Sequence, residues 1–463
     1  MLECDVFVTG CGPAGASLAW YLAQKNIKVI VAEKKKNLDR PVRCAEFVPV
    51  NIAGLFDFRI GGINNRIEYL ETYAAENPTE KFQLISKTAA PGFILDRDTF
   101  INDIASRFTK AGGKLLKGTK VVSVHQSADG FIVDLLDIPS KNHLMVRARI
   151  IAGADGPLSL IGRLAGSANK SFVPAIQQNP SIILKSADCS KVFFSPYISC
   201  GYGWLFPKTE SVNLGVGTFL GRKIIQPEHK ADISKKSLFA VSGNWNGGKD
   251  FDNWSFGRNS GDFDNYRFGR NSSDSSLDKD SGYRGLGRDA KRAGMPLKNI
   301  LDAFIRHLEL SGILTGNIKQ DKSLETCRQP APAVTGLIPD SGIVENPGSK
   351  DGLILCGDAA GLCNPITGAG IYNAIYSARL ASESIVKSLS LNDLNILQEI
   401  KEIYNSQFGN SINRALRKKL MQKNNWPEPV QDLPNRCGYD FRDNMKFSDL
   451  VRQTWVSFKD YWD

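Results

Sequence analysis

The sequence predicts an α/β protein: a three-layer α/β domain, an antiparallel-sheet domain interleaved with it, and a C-terminal helical extension. Three observations carry this. The chain opens strand, glycine loop, helix, strand. Two later segments, 151–163 and 355–371, each set an Asp after a glycine at the end of an apolar run. Between these landmarks lie stretches of period-two alternation, the pattern of half-buried antiparallel strands.

Taken in order, CDVFVTG reads as a strand, GCGPAGASLAWYLAQKN as a loop opening into a helix, and IKVIVAEK as a second strand. That is a βαβ start of Rossmann-like type. RIEYLETY, KFQLIS and GFILD, within about 66–96, alternate as antiparallel strands. RDTFINDIASRFTKAG has helical periodicity, and KVVSV, FIVDLL and ARIIAGAD follow it as strands. The region from about 176 to 220 is again strand-rich, and a long helix begins near 371. Past 400, Tyr404, Phe408, Ile412, Ala415, Leu416 and Leu420 keep helical spacing beside Arg414, Arg417, Lys418, Lys419 and Lys423. The expected division is a discontinuous nucleotide-binding domain (1–65, 93–175 and 330–390), a substrate domain (66–92 and 176–329) and a C-terminal helical region (391–463).

Residues 243–292 stand apart, rich in Gly, Asn, Asp, Ser and Arg. DFDNWSFGRNS (250–260) recurs as DFDNYRFGRNS (262–272), with nine of eleven positions identical. Two copies are too few for a solenoid core, and the composition buries little. A low-complexity, disordered insertion is expected. Its Gly285-Leu286-Gly287-Arg288-Asp289-Ala290 mimics a dinucleotide fingerprint, but no strand precedes it.

With 463 residues, 42% of them hydrophobic and 23% charged, the chain is long enough for two or three globular domains. No apolar run reaches the length of a membrane span, and the start, MLECD, lacks the basic residues of a signal peptide. A cytoplasmic protein is expected. Nine scattered cysteines with no CxxC pair imply reduced thiols, with neither a disulfide framework nor a metal site. The net charge of +10 favours an anionic partner. No basic-aromatic motif accompanies it, so nucleic acid is excluded and lipid headgroups are the better expectation. The basic helix past 400 either lies on a membrane surface or packs on its own domain. None of the four histidines falls in a catalytic motif.

Gly10-Cys11-Gly12-Pro13-Ala14-Gly15 sits between a strand and a helix, with Glu33 ending the next strand. Such glycines permit a tight turn and close backbone approach to a pyrophosphate, which the helix N-terminus then attracts. Glu33 is placed to accept hydrogen bonds from an adenosine ribose. Asp155-Gly156 and Gly357-Asp358 end the two later apolar runs, and Asp358 suits a polyol such as a flavin's ribityl chain. Gly368-Ala369-Gly370 lets backbone approach a flat ring ahead of a helix, and Arg97 leads the helix between the first two motifs. Together these segments point to FAD.

The hairpin GYGWLFPKTESVNLGVG, 201–217, puts Tyr202, Trp204 and Phe206 on one face of a strand. It stops at Pro207, turns through Lys208–Ser211 and returns to Gly215 and Gly217. Alone, this is either a core stripe or an aromatic wall.

With these motifs the chain resembles FAD-dependent oxidoreductases of the para-hydroxybenzoate hydroxylase fold, and within them the geranylgeranyl reductase family. Pro41-Val42-Arg43-Cys44-Ala45-Glu46 is similar to the family's PxxC segment. Tyr202, Trp204, Phe206, Pro207, Gly215 and Gly217 match its YxWxFP, seven residues, then GxG. The resemblance covers nearly the whole chain apart from 243–292; the tail TWVSFKDYW (454–462) shares it less specifically. It implies that the aromatic wall holds an isoprenoid chain against the flavin, with the Arg43-Cys44-Ala45 loop over the ring. Cys44 then donates a proton or gates access, Glu46 relays a proton, and Arg43 favours a thiolate or anchors an anionic head. Reduction of the flavin falls to NAD(P)H or a ferredoxin-type donor. Phe47 departs from the family pattern, standing where glycine is expected, and narrows the pocket. The rival readings are a flavin-dependent monooxygenase or halogenase and a non-catalytic FAD protein that binds lipid or passes electrons.

Overall fold

The computed structural model describes residues 1–38, 41–219, 296–314, 332–429, 439–440 and 445–456. The expected insertion at 243–292, with its repeat and its fingerprint mimic, lies outside them.

The first sheet grows from β1 (Leu2–Thr9), α1 (Pro13–Ala23) and β2 (Val29–Glu33), with β1 and β2 parallel. β2, VIVAE, is buried throughout, as a strand covered on both faces should be. β3 (Phe47–Pro49), β4 (Ile63–Ala74) and β5 (Gln83–Leu95) then leave for a second sheet. α2 (Arg97–Lys110) brings the chain back to β6 (Lys114–Lys117), β7 (Thr119–Ser127), β8 (Gly130–Asp137) and β9 (His143–Gly153). The described order is β6-β2-β1-β9-β8-β7, and β15 (Leu353–Leu355) joins parallel to β9. α1 packs against α2 and against α5 (Ile371–Leu391), in one core with the sheet. Ala16 and Ala19 of α1 and Ala374, Ala378 and Ala381 of α5 lie in that core, small side chains that let helix backbones approach closely.

After α3 (Leu160–Leu164), the chain enters the second sheet with β10 (Phe172–Gln178), β11 (Cys189–Phe194), β12 (Tyr202–Pro207) and β13 (Val212–Gly217). With β14 (Val334–Pro339) the order is β14-β10-β13-β12-β11-β4-β5-β3. Its two faces follow the period of two. Tyr202, Trp204 and Phe206 share an apolar cluster with Ile67, Val192 and Phe194. Leu205, between them, belongs to the opposite cluster, covered by Ile300, Leu301, Phe304 and Leu308 of α4 (Leu297–Leu310). Gly203 is the seat of the Phe304 ring, where a β-carbon would collide with it.

The long helix expected from 371 is α5, and the helical spacing past 400 belongs to a separate helix. α5 ends at Asn392 in the left-handed region (φ +51°), and α6 (Ile400–Asn425) follows a short 3-10 turn. α6 buries Tyr404, Phe408, Ile412, Ala415, Lys419 and Gln422. Leu420, expected on the apolar face, is 58% exposed. At 3.6 residues per turn the buried stripe runs from 415 to 419 and 422, so 420 rotates away and a lysine takes the inward place. α7 (Phe447–Val451) follows and leads to Trp455, which packs on the aromatic wall. No described helix is long and apolar enough to cross a membrane.

Candidate active site

Each glycine of the first loop has its own job. Gly10 has φ +86°, and a β-carbon there would stand 2.6 Å from the Ala154 carbonyl oxygen. Gly15 packs so closely under the loop that a β-carbon would strike the Gly10 carbonyl. A β-carbon on Gly12 would instead meet nothing within 4 Å. Gly12 is the N-cap of α1 and Pro13 its first residue, with no side chain capping the helix amides. This is a backbone surface left open for a pyrophosphate, with a positive helix end behind it. Beside it, Glu33 Oε2 accepts the Cys11 N–H at 2.8 Å and Oε1 the Lys35 N–H at 2.9 Å. Each oxygen keeps a lone pair for a ribose hydroxyl.

The later segments converge on the same end of the sheet. Gly357 (φ +58°) lies against Ala14 of α1 and Ala374 of α5, its N–H donating to Ser377 Oγ at 3.0 Å. The Asp358 carboxylate accepts no hydrogen bond from any described residue. Burial raises its pKa and the Arg97 guanidinium opposes the shift, the net being upward. Gly370 N-caps α5 without a side-chain cap, and a β-carbon on it would stand 3.0 Å from Asp358 Oδ1. The loop before it is shaped by Asn364, whose Oδ1 accepts the N–H groups of Ile366 (3.0 Å) and Thr367 (3.1 Å). Gly368 in that loop needs its positive φ of +68°. Asp155 is drawn into structure: its carboxylate accepts from Ser159 Oγ at 2.5 Å and from the Leu160 N–H at 2.7 Å at the start of α3. Gly156 beside it has open space at its β position.

The residues fit an FAD. Two helix N-termini without side-chain caps, an open glycine approach, a ribose-side carboxylate and a carboxylate with no donor among the described residues are the donors and acceptors a dinucleotide uses.

The aromatic wall meets the loop before α5. Trp204 and Phe206 are buried, and Tyr202 is half-buried with its hydroxyl donating to the Thr367 carbonyl of the loop before α5. Trp455 packs on Tyr202 with ring centroids 4.8 Å apart, and on Phe194 at 5.1 Å. Pro207 ends the strand buried. Gly215 is the seat of the Trp204 indole, whereas Gly217 leaves ordinary van der Waals distance to Ala175 and Val173. Phe47 sits edge-on to Phe206, centroids 6.1 Å apart, and its ring covers Gly92.

The Arg43-Cys44-Ala45-Glu46 loop is tied to the hairpin of the wall, the Asn213 Nδ2 donating to the Cys44 carbonyl at 2.8 Å. The Arg43 side chain packs on Gly336, Ala45 packs on the aromatic cluster, and Cys44 is half-buried. Glu46 is 1% exposed, and its carboxylate accepts from the Arg97 N–H (3.0 Å), Lys208 Nζ (2.7 Å) and Asn213 Nδ2 (3.1 Å). Burial pulls the Lys208 pKa down, but the Glu46 and Asp96 carboxylates leave it raised overall. From sequence Lys208 reads only as a turn residue, and Asn213 belongs to no motif. Their signals were faint: a lysine directly after Phe-Pro, and an Asn between Val212 and Leu214 in an otherwise apolar strand.

Fold and site together fit an FAD-binding flavoprotein, and residues 3–202 match the FAD binding domain family. The resemblance to the geranylgeranyl reductase family is borne out by curated relatives. The chain is 26% identical to the digeranylgeranylglycerophospholipid reductase of Thermoplasma acidophilum, over 87% of this chain and 84% of that protein. It is 24% identical to the enzyme of that name from Methanocella arvoryzae, over 97% and 95%. Among solved structures, a geranylgeranyl bacteriochlorophyll reductase-like protein from Thermoplasma acidophilum shares the fold with a TM-score of 0.66, at 21% identity over 99% of this chain and 98% of that one. PqsL of Pseudomonas aeruginosa, a probable FAD-dependent monooxygenase, shares it at 0.53 and 15%, over 91% and 97%.

Proposed function

We propose that this chain is an FAD-dependent reductase that saturates C=C bonds in geranylgeranyl-type isoprenoid chains of lipids or prenyl diphosphates. One observation carries the reading: a continuous aromatic wall, Tyr202-Trp204-Phe206 with Trp455, bonded at Tyr202 to the loop before α5 and at Asn213 to the Cys44 loop. A polyprenyl chain has no polar handle along its length, so apolar and aromatic surface must hold it and keep water away. Relatives named digeranylgeranylglycerophospholipid reductase support the substrate class.

When bound, FAD supplies the two-electron chemistry, its reduced form giving a hydride to one alkene carbon. The chain does the rest. The described parts of 1–65, 93–175 and 330–390 hold the cofactor, and those of 66–92 and 176–329 form the substrate side. Tyr202, Trp204 and Phe206 orient the alkene, and Phe47 narrows the space beside Phe206. Cys44 delivers a proton to the second alkene carbon, its thiol being the half-buried one among the described cysteines. Glu46, fully engaged with Lys208, Asn213 and the Arg97 amide, holds that loop in place. An NAD(P)H or ferredoxin-type donor renews the reduced flavin. Exposed Arg417 and Lys423 on either side of exposed Leu420 support peripheral contact with an anionic membrane surface.

The test is a single turnover. The protein is reduced anaerobically, a geranylgeranyl lipid is added, and flavin reoxidation is followed with the product's mass. Reoxidation with a product heavier by two hydrogens per alkene is expected. Reoxidation only on admitting oxygen, with an oxygenated or halogenated product, would replace this reading by that of a monooxygenase or halogenase.

A further inference from the structure

Glu46 combines complete burial with a backbone φ of +68°, a left-handed conformation costly for a residue other than glycine. Such strain persists only where the surroundings over-determine it. Here they do. Besides its three carboxylate bonds, the Glu46 carbonyl accepts the Leu95 N–H at 3.0 Å, and its own N–H donates to Cys44 Sγ at 3.3 Å. Two of the groups that hold it come from the hairpin of the aromatic wall. Lys208 lies 162 residues further along the chain and also pairs with Asp96 at 2.9 Å. Asn213 lies 167 residues on; its Nδ2 donates to the Cys44 carbonyl at 2.8 Å, and its Oδ1 accepts the Trp204 indole N–H at 2.8 Å.

We propose that Lys208 is a positioning residue for the Cys44 thiol. Its ammonium holds the Glu46 carboxylate, the carboxylate fixes the left-handed backbone at Glu46, and the Glu46 amide then aims a hydrogen bond at the sulfur. The hairpin that carries the substrate wall thereby sets the orientation of the proton donor, and wall and thiol keep one register. The catalytic meaning rests on the proposed function, because it takes Cys44 as the donor. The positioning itself does not. A carboxylate as buried as Glu46 tolerates loss of its ammonium badly, since an uncompensated interior charge must be protonated or expelled. Either relief frees the strained backbone and withdraws the amide from the sulfur. An N–H donated to sulfur favours the thiolate, so its loss raises the pH at which Cys44 reacts.

The experiment uses the full FAD-loaded chain and measures iodoacetamide alkylation of Cys44 against pH, read by peptide mass. In Lys208→Met the midpoint is expected to move up and the rate at neutral pH to fall several-fold. In Lys208→Arg most of the wild-type profile returns, and FAD content is the same in both. Should Lys208→Met fail to fold, Lys208→Gln removes the charge but keeps a donor toward Glu46, and an upward movement smaller than that of Lys208→Met is expected in it. A folded variant whose alkylation profile coincides with wild type overturns the proposal, whatever its activity. A shifted profile in a protein that reduces no isoprenoid upholds the positioning and sinks the proposed function instead.

Discussion

The Trp204 indole occupies the place where Gly215, its direct partner on the neighbouring strand, would carry a side chain. The glycine of the hairpin is therefore not slack in the strand but the seat of the central ring of the wall. Gly215→Ala forces the indole off its position and out of line with its bond to Asn213. Overpacking of this kind costs about 1–3 kcal/mol. Urea unfolding of the FAD-loaded protein should show that loss, with an altered Trp fluorescence. Gly217→Ala, where ordinary contact distance remains, should lose clearly less.

Gly12 separates cofactor binding from folding. Its β position is open and its backbone is ordinary, so Gly12→Val disturbs only the helix N-cap, at about 1 kcal/mol. The same branched side chain stands where a pyrophosphate must meet backbone amides. The expected protein is folded and colourless, and absorbance at the flavin bands after dialysis against FAD measures it.

Cys44→Ala should keep FAD and fold but lose alkene reduction, and Cys44→Ser should retain part of it. The readout is the single-turnover rate with a geranylgeranyl lipid under nitrogen. An alanine variant that reoxidises at the wild-type rate would make Cys44 a packing residue.

Lys419 ties the loop before α5 to Asp340. Its ammonium pairs with Asp340 and donates to the Pro365 carbonyl at 3.1 Å, while Ser171 Oγ donates to the other Asp340 oxygen at 2.6 Å. Lys419→Met strands a buried carboxylate and should destabilise the protein by about 3–5 kcal/mol. Lys419→Met/Asp340→Asn should recover most of that loss in urea unfolding.

His307 gives the protein an acid-sensitive element. It is wholly buried, stacked on Phe82, with Nε2 2.6 Å from the Glu80 carbonyl oxygen. Burial pulls its pKa from 6.5 down to about 4, against the opposing hydrogen bond to Glu80. The unfolded chain thus binds a proton that the folded chain refuses, so stability declines as pH falls from 6.5 to 4. The full shift corresponds to about 3 kcal/mol. Subtracting the pH profile of His307→Gln from that of wild type should isolate this share. Parallel profiles between pH 4 and 6.5 would contradict it.

Local pattern was enough for the elements with strong periodicity and for the cofactor motifs. The glycines of 10–15 declared a strand-to-helix turn because glycine spacing and chain direction are properties of adjacent residues. Tyr202, Trp204 and Phe206 shared a face because alternation in a strand is geometric. The division expected at 390/391 falls where α5 ends, at Asn392 in the left-handed region.

The sequence by itself determined the α/β class, the FAD loop, the aromatic stripe and the segment that carries Cys44. All of these are short-range, encoded within one turn or one strand. Only the tertiary structure decided that Lys208 and Asn213 reach Glu46, that Lys419 and not Leu420 faces inward to meet Asp340, and that Trp455 completes the wall. A buried charge acquires its partner from chain far away, and Coulomb and hydrogen-bond energies depend on distance in space, which residue order does not carry.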